Sequence, residues 1–242
     1  MSIVNTSIIN VSDIEIQINR KDIKNLHVGV YPPYGKVRVA SPLHIDDEAV
    51  RLAIISRLSW IKKQKKSFEE QPRQTKREMV SGESHYFLGK RYLLNVIHEN
   101  SKHKIIQNHS KLELYVRDNT SVENKQKVLN EWYRQELKKE VSKLVPKCEK
   151  LIGVKLESYA IKKMRTKWGS CNIENKKILL NLELAKKSIE CIEYIIIHEL
   201  VHLLERHHNE NFKNLMDKFS PNWRERRDEL NSGILEYEDW RY

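Results

Sequence analysis

The segment HELVHLLERHH, residues 198–208, constrains this chain more than any other part of its sequence. Residues four apart on an α-helix lie on the same face, so His198 and His202 can direct two imidazoles at one point. Glu199 lies about 100° around the helix from His198, where its carboxylate can accept a proton from a water molecule near that point. The HExxH spacing therefore predicts two metal ligands and one general base.

A third ligand is expected shortly after the HExxH motif. A catalytic zinc site commonly combines three protein ligands with one open position for water or substrate. His207 and His208 both lie at a suitable distance along the chain, and spacing alone does not choose between them. The pattern predicts one zinc ion (Zn2+) per chain.

The alternative interpretation is a solvent-exposed helix that happens to be rich in histidine. The surrounding segment, IEYIIIHELVHLLE, argues against it because its apolar residues recur at helical spacing. These residues are Ile192, Ile195, Ile196, Leu200 and Leu203. Two histidines and a glutamate within so apolar a helix would be costly to bury without partners. We therefore favour the metal site.

Composition narrows the class of protein. With 242 residues, of which 39% are hydrophobic and 32% charged, the chain is long enough to bury a substantial core. It has no apolar run of the roughly 18 residues that a membrane span needs, and its start lacks the pattern of a secretory signal. The three cysteines, Cys148, Cys171 and Cys191, are widely spaced, so we expect no disulfide framework and a cytoplasmic location.

The charge of the chain is strongly basic. Its net charge is +11, from 44 lysine and arginine residues against 33 acidic residues. The stretch 160–187 carries a local excess of lysine and arginine directly before the HExxH segment. Such a positive charge is typical of proteins that bind nucleic acid or an acidic substrate, and also of proteins with only a basic solvated surface.

Periodicity predicts an α+β fold. Short strands in DIEIQINR, NLHVGVY and KVRVASP predict a β-meander in the first forty residues. A helix is predicted from Asp46 through IDDEAVRLAIISRLSWIKKQKKSFEE, with Trp60 and Ile61 in the core. Hairpin strands are predicted between residues 81 and 118, and a long amphipathic helix over 121–152. Residues 1–120 are thus an N-terminal β-rich half with one or two helices. Residues 121–242 are a C-terminal helical half with a small sheet and the HExxH helix.

Several segments together resemble the YgjP-like metallopeptidase family, whose members are similar to SprT-like zinc proteases. They are MRTKWGSC (164–171), ILLNLEL (178–184), IEYIIIHELVHLLERHHNENF (192–212) and SPNWRERRDEL (220–230), with WIKKQKK (60–66) and GESHYFLGKRYLLNV (82–96) in the N-terminal half. The resemblance covers nearly the whole chain and implies that the C-terminal half is zincin-like.

The resemblance also implies roles for individual residues. Carried over by position, it makes His198 and His202 zinc ligands and Glu199 the catalytic glutamate. The histidine of the family's N-H-S turn falls on His208, which implies that His208, and not His207, is the third ligand.

The segment WGSC is expected to contact substrate. Gly169 permits a close backbone approach, Trp168 offers apolar surface and Ser170 offers a hydroxyl. By analogy with zinc proteases, this strand would flank the cleft and pair through its free edge with an extended peptide. Arg165 and Lys167 are candidates, on charge alone, for stabilising the oxyanion. The alternative is that the segment only packs the HExxH helix against the sheet.

We expect a zinc-dependent metallopeptidase that cleaves peptide bonds with an activated water and Glu199 as general base. One alternative keeps the metal and acts on an acidic small substrate, such as a nucleotide phosphoanhydride, attracted by the basic stretch. A third is a nucleic-acid-binding accessory protein with a structural zinc, although no helix-turn-helix, finger or RRM signature supports it. A protein or peptide is the expected partner, nucleotide or nucleic acid the alternative, and no membrane contact is expected.

Overall fold

The computed structural model describes residues 5–31, 35–70, 77–164 and 167–232, apart from the side chains of 67–70 and 231–232. These residues form two compact units, of which the first ends at Arg77 and the second begins at Glu78. Each unit has its own hydrophobic core. The sequence analysis divided the chain differently, into a β-rich half (1–120) and a half with the HExxH helix (121–242). That division stays a prediction.

The first unit is a four-stranded sheet with two helices. Its elements are β1 (Asn5–Val11), β2 (Ile14–Lys21), β3 (His27–Tyr31), β4 (Lys36–Pro42), α1 (Asp47–Ile55) and α2 (Leu58–Glu70). The strand order is β1-β2-β4-β3, with β2 and β4 parallel and both edge strands antiparallel to their neighbours. The predicted β-meander is therefore wrong, because a meander would place β3 between β2 and β4.

The helical part of this unit also differs from the prediction. One continuous helix was predicted, but α1 ends at Ile55 and α2 begins at Leu58. Ile61 is fully buried as predicted, whereas Trp60 is 44% exposed. Successive residues on a helix point about 100° apart, and here Ile61 points into the core while Trp60 points away from it.

The second unit contains the HExxH segment. Its elements are β5 (Ser84–Phe87), β6 (Lys90–His98), β7 (Lys104–Asn108), β8 (Lys111–Val116), α3 (Val122–Ile152), β9 (Ser158–Lys162), β10 (Gly169–Asn172), β11 (Lys177–Asn181), a 3₁₀ helix (Leu182–Lys186), α4 (Ile189–Val201), α5 (Glu210–Phe219) and α6 (Trp223–Ser232). One sheet has the order β5-β6-β8-β7 and the other the order β10-β11-β9. The α+β class predicted from the sequence is confirmed.

Helix α3 matches the predicted amphipathic helix closely. Its N-terminus is capped by the Ser121 hydroxyl, which accepts a hydrogen bond from the N–H of Asn124 at 3.3 Å. It ends at Ile152, and its C-cap, Gly153, has a φ of 81°, the left-handed conformation that favours glycine. Leu129, Leu137, Val141 and Leu144 are among the residues of its buried side, and α3 packs against α4.

Helix α4 carries the HExxH motif and is buried on most of its surface. It contacts α3, α5, α6, β10 and β11, which explains why its sequence is rich in isoleucine all around and not along one stripe. Ser188 caps its N-terminus by accepting from the N–H of Cys191. A helix held by neighbours on most sides is a rigid support for functional side chains. None of the described helices combines the length and the apolarity that a membrane span requires.

The packing of α3 gives a direct stability test. Leu137 is fully buried and Leu151, on the same helix, is 53% exposed. We expect Leu137→Ala to lower the free energy of unfolding by roughly 2–5 kcal/mol, because it leaves a cavity. Leu151→Ala should change it by less than about 0.5 kcal/mol. Urea unfolding followed by far-UV circular dichroism measures both variants, and equal losses would show that the two faces of α3 are assigned wrongly.

Candidate metal centre and active site

Three histidine side chains converge at the C-terminal end of α4. The helix ends at Val201, and His202 is its C-cap. The N–H groups of Leu204 and Glu205 then both donate to the Val201 carbonyl at 2.9 Å, which turns the chain back towards the helix. As a result, Nε2 of His208 lies 3.1 Å from Nε2 of His198.

The three imidazoles fit a zinc ion. The candidate ligand atoms of His198, His202 and His208 all lie within 4.8 Å of one another. Two nitrogens bound tetrahedrally to one zinc at about 2.1 Å would be about 3.4 Å apart, close to the separation between His198 and His208. The described residues therefore bring together the three histidines that the sequence resemblance selected, and His207 lies outside this cluster.

A hydrogen bond sets which nitrogen of His202 is available. Its Nδ1 lies 3.2 Å from the main-chain carbonyl oxygen of Glu205. A carbonyl can only accept, so Nδ1 must donate, and Nε2 of the neutral ring keeps its lone pair. Outer contacts of this kind orient ligating histidines in metal sites.

Phe212 forms the floor of the histidine cluster. Its ring centroid lies 5.0 Å from that of His198, 4.8 Å from that of His202 and 4.6 Å from that of His208. Phe212 is only 3% exposed, and its N–H donates to the Asn209 side chain that caps α5. The aromatic ring therefore holds the three imidazoles against one another.

Burial favours the neutral form of His198 and His202. Burial, together with the neighbouring His202 and His208, lowers the pKa of His198 to about 3. Burial also lowers the pKa of His202, against the opposing effect of the Glu205 carbonyl. Neutral imidazole is the form that binds a metal ion.

The Glu199 carboxylate lies in the same cleft and is 4% exposed. Burial raises its pKa to about 8, while the positive charge of Lys167 acts in the opposite direction. A Cβ added to Gly169 would lie 2.5 Å from Glu199 Oε1 and 2.8 Å from its Cγ. The glycine of the WGSC segment is therefore needed because β10 passes directly against this carboxylate.

Asn181 fixes the segment that leads into β10. Its Nδ2 donates to the carbonyls of Met164 at 2.9 Å and Lys167 at 2.8 Å, and its Oδ1 accepts from the N–H of Met164 at 3.2 Å. The side chain is 5% exposed, so both of its polar atoms are buried and satisfied. Asn181 lies in the ILLNLEL segment that carries part of the family resemblance, but the sequence predicted no role for it. A polar residue between apolar strand positions was the available signal.

A cleft of about 900 Å³ opens beside the histidines. It is lined by β10 and the residues before it, by the turn after β10 and by the end of α4 with the following turn. Its lining residues are Lys167, Trp168, Gly169, Ser170, Cys171, Asn172, Ile173, Glu174, Tyr194, Ile195, His198, Glu199, His202, Leu203, Leu204, Arg206 and His208.

The predicted substrate-contacting residues therefore divide into two groups. Lys167, Trp168 and Ser170 lie in the cleft wall, whereas Arg165 lies outside the described residues. Trp168 also packs partly against the core, so its contact with the cleft and its packing role coexist. Tyr194, one helical turn before His198, was not predicted as a site residue. Its ring lies edge-on to the His198 imidazole, with the two ring centroids 6.0 Å apart.

Comparison with known proteins gives a family match and similar solved structures. A family model described as YgjP-like, metallopeptidase domain, matches residues 25–233. Among solved structures, the chain is similar to the metallopeptidase zymogen abylysin of Pyrococcus abyssi at 22% identity, covering 37% of this chain and 90% of that one, with a TM-score of 0.35. Similarity to the metallopeptidase zymogen jannalysin of Methanocaldococcus jannaschii is also at 22% identity, covering 37% and 92%, with a TM-score of 0.34. No curated protein sequence matches the chain.

The class of protein follows from the family match: this is a metallopeptidase-type hydrolase. The match spans most of the chain, from just before β3 to the end of α6. The chain belongs to the YgjP-like family of metallopeptidase domains, and the resemblance inferred from its sequence is confirmed.

The contact between Gly169 and Glu199 predicts a specific non-additivity. Gly169→Ala should displace the Glu199 carboxylate, lower the melting temperature and reduce casein hydrolysis by about 100-fold, because small misplacements of reacting groups have effects of that order. Zinc content should stay unchanged. In a Glu199→Ala background the added methyl group meets no carboxylate, so Gly169→Ala should then leave the melting temperature nearly unaltered. An equal loss in both backgrounds would mean that the methyl group clashes elsewhere.

The choice of third ligand is tested by paired variants. His208→Ala should lose zinc, because two remaining ligands rarely hold the ion. His207→Ala should retain about one zinc per chain, since the described histidine cluster does not include it. Metal analysis of the purified proteins after dialysis distinguishes them, and the reverse pattern would assign the third ligand to His207.

Proposed function

We propose that this protein is a zinc-dependent metallopeptidase in which His198, His202 and His208 hold the ion and Glu199 is the general base. The observation that carries the proposal is the convergence of three imidazoles with one buried glutamate in a single cleft. Three nitrogen ligands and a non-ligating glutamate are the side-chain set of a catalytic, and not a structural, zinc site.

The protein side chains divide the work of hydrolysis. A zinc ion at the three imidazoles would supply a Lewis acid that polarises the scissile carbonyl. The raised pKa of Glu199 lies close to neutral pH, and in its ionised form the side chain accepts the proton of the attacking water and passes it to the leaving amine. Gly169 and the buried surroundings hold that carboxylate in place, and Lys167 contributes a positive charge to the same cleft wall.

A peptide bond is the substrate that the cleft favours. Among the described strands β10 pairs with β11 alone, and it contributes its residues to the cleft wall. Unpaired N–H and C=O groups along such an edge can bind an extended peptide as an additional strand. Trp168 and Ser170 would then contact the side chains of that peptide.

A second candidate substrate is a nucleotide phosphoanhydride. Lys167 and Arg206 both line the cleft and supply positive charge for an acidic group, although Glu174 lines it too. A substrate panel that includes nucleoside triphosphates beside casein and an unfolded protein separates the two candidates, because each predicts turnover of one class only.

Glu199→Gln tests the proposed general base. The amide is nearly isosteric with the carboxylate, so we expect about one zinc per chain and an unchanged melting temperature. Turnover should fall by at least the roughly 10²–10⁴-fold typical of acid–base catalysis, because the amide cannot accept the proton. Zinc content, melting temperature and turnover are measured together.

Glu190→Gln is the matched control, since Glu190 lies exposed in the first turn of the same helix. It should behave as the native protein in all three measurements. Native turnover by Glu199→Gln would exclude Glu199 as the base, and loss of zinc in that variant would make Glu199 a ligand instead.

A further inference from the structure

We infer that Glu205 is a positioning residue that sets the affinity of the histidine cluster for its metal. This inference rests on the proposed metal centre and goes beyond it. Glu205 lies in the turn that joins His202 to α5, residues 203–209, which also carries the third histidine, His208. Its main chain contacts one histidine ligand, and its side chain holds the segment that carries another.

The side-chain contacts bridge the turn and the start of α5. Oε1 of Glu205 accepts from the N–H of His207 at 3.1 Å, and Oε2 accepts from Nδ2 of Asn211 at 3.1 Å. His208 lies between these two anchored residues in the sequence. The carboxylate therefore fixes the backbone on both sides of the third histidine.

The main-chain contact concerns the second histidine. The Glu205 carbonyl accepts from Nδ1 of His202 at 3.2 Å, which leaves Nε2 as the ligating atom. Holding the turn in this conformation thus orients His202 as well as His208. One residue links the end of α4 to the start of α5 and defines the spacing of the ligands.

The turn needs such an anchor because its sequence supplies little rigidity. The segment LLERHHN contains no proline to restrict the backbone, and His208 is exposed. A ligand on an unrestrained segment must lose conformational freedom when the metal binds, which lowers the affinity. The hydrogen bonds to the Glu205 carboxylate remove that freedom in advance.

The test measures the zinc dissociation constant of the full-length protein by competition with a chromophoric chelator. Glu205→Ala removes both side-chain anchors and should weaken zinc binding by about 10–100-fold, as other outer-shell substitutions do. Glu205→Gln should stay within a few-fold of the native protein. Its amide oxygen can accept from the His207 N–H, and its NH₂ group can donate to the Asn211 side chain.

Two further variants separate positioning from general electrostatics. Glu210→Ala removes the same charge nearby, from a side chain that is 77% exposed and pairs with Lys213, and it should leave the zinc affinity nearly native. Asn211→Ala should weaken binding less than Glu205→Ala, and the double variant should be no weaker than Glu205→Ala alone, because both changes break one shared contact.

The outcomes distinguish the inference from the proposed function. If native protein binds zinc and Glu205→Ala binds it equally well, the positioning role is wrong and the metal centre stands. Equal losses in Glu205→Ala and Glu210→Ala would replace positioning with a long-range charge effect. Failure of the native protein itself to bind zinc would overturn both the metal centre and the role of Glu205. A melting curve of each metal-free variant identifies any loss that comes from misfolding.

Discussion

The packing of three imidazole rings over Phe212 is the interaction on which the rest of the site depends. Phe212 lies within 5.0 Å, centroid to centroid, of all three histidine rings and is itself buried. It can occupy that place only because α4 stops at Val201 and the chain turns before α5 begins. The end of one helix, the turn and the start of the next are therefore a single structural unit.

The sequence was sufficient for the features that depend on neighbours along the chain. HExxH spacing placed two histidines on one helical face, and the apolar period of α3 predicted its bounds and its buried side. Features that depend on pairing between distant segments could not be predicted from the local sequence. The alternation in β2 and β4 revealed two strands, but nothing local indicated that they are parallel neighbours. Trp60 was misplaced for a related reason, since composition does not tell which side of a helix meets a sheet.

The same limit applies to the candidate site. The third histidine could be chosen only through resemblance, because adjacent histidines offer the same chemistry and the turn decides which one faces the helix. A close backbone approach at Gly169 was predicted, but only the structure shows that Glu199 is the neighbour, and only the structure shows that Asn181 binds the main chain of Met164 and Lys167. Both residues act by placing other groups, and such roles leave little trace in the local sequence.

The contact between Gly169 and Glu199 restricts how a protein of this type can diverge. The strand that forms the cleft wall and the carboxylate beside the histidines are packed against each other with no space for one additional methyl group. Changes of substrate preference therefore cannot come freely from the side of β10 that faces α4. Such changes can come instead from other residues of the cleft wall, such as Lys167 and Ser170, and from the turn that carries Arg206. The reactive centre can thus stay constant while its rim varies.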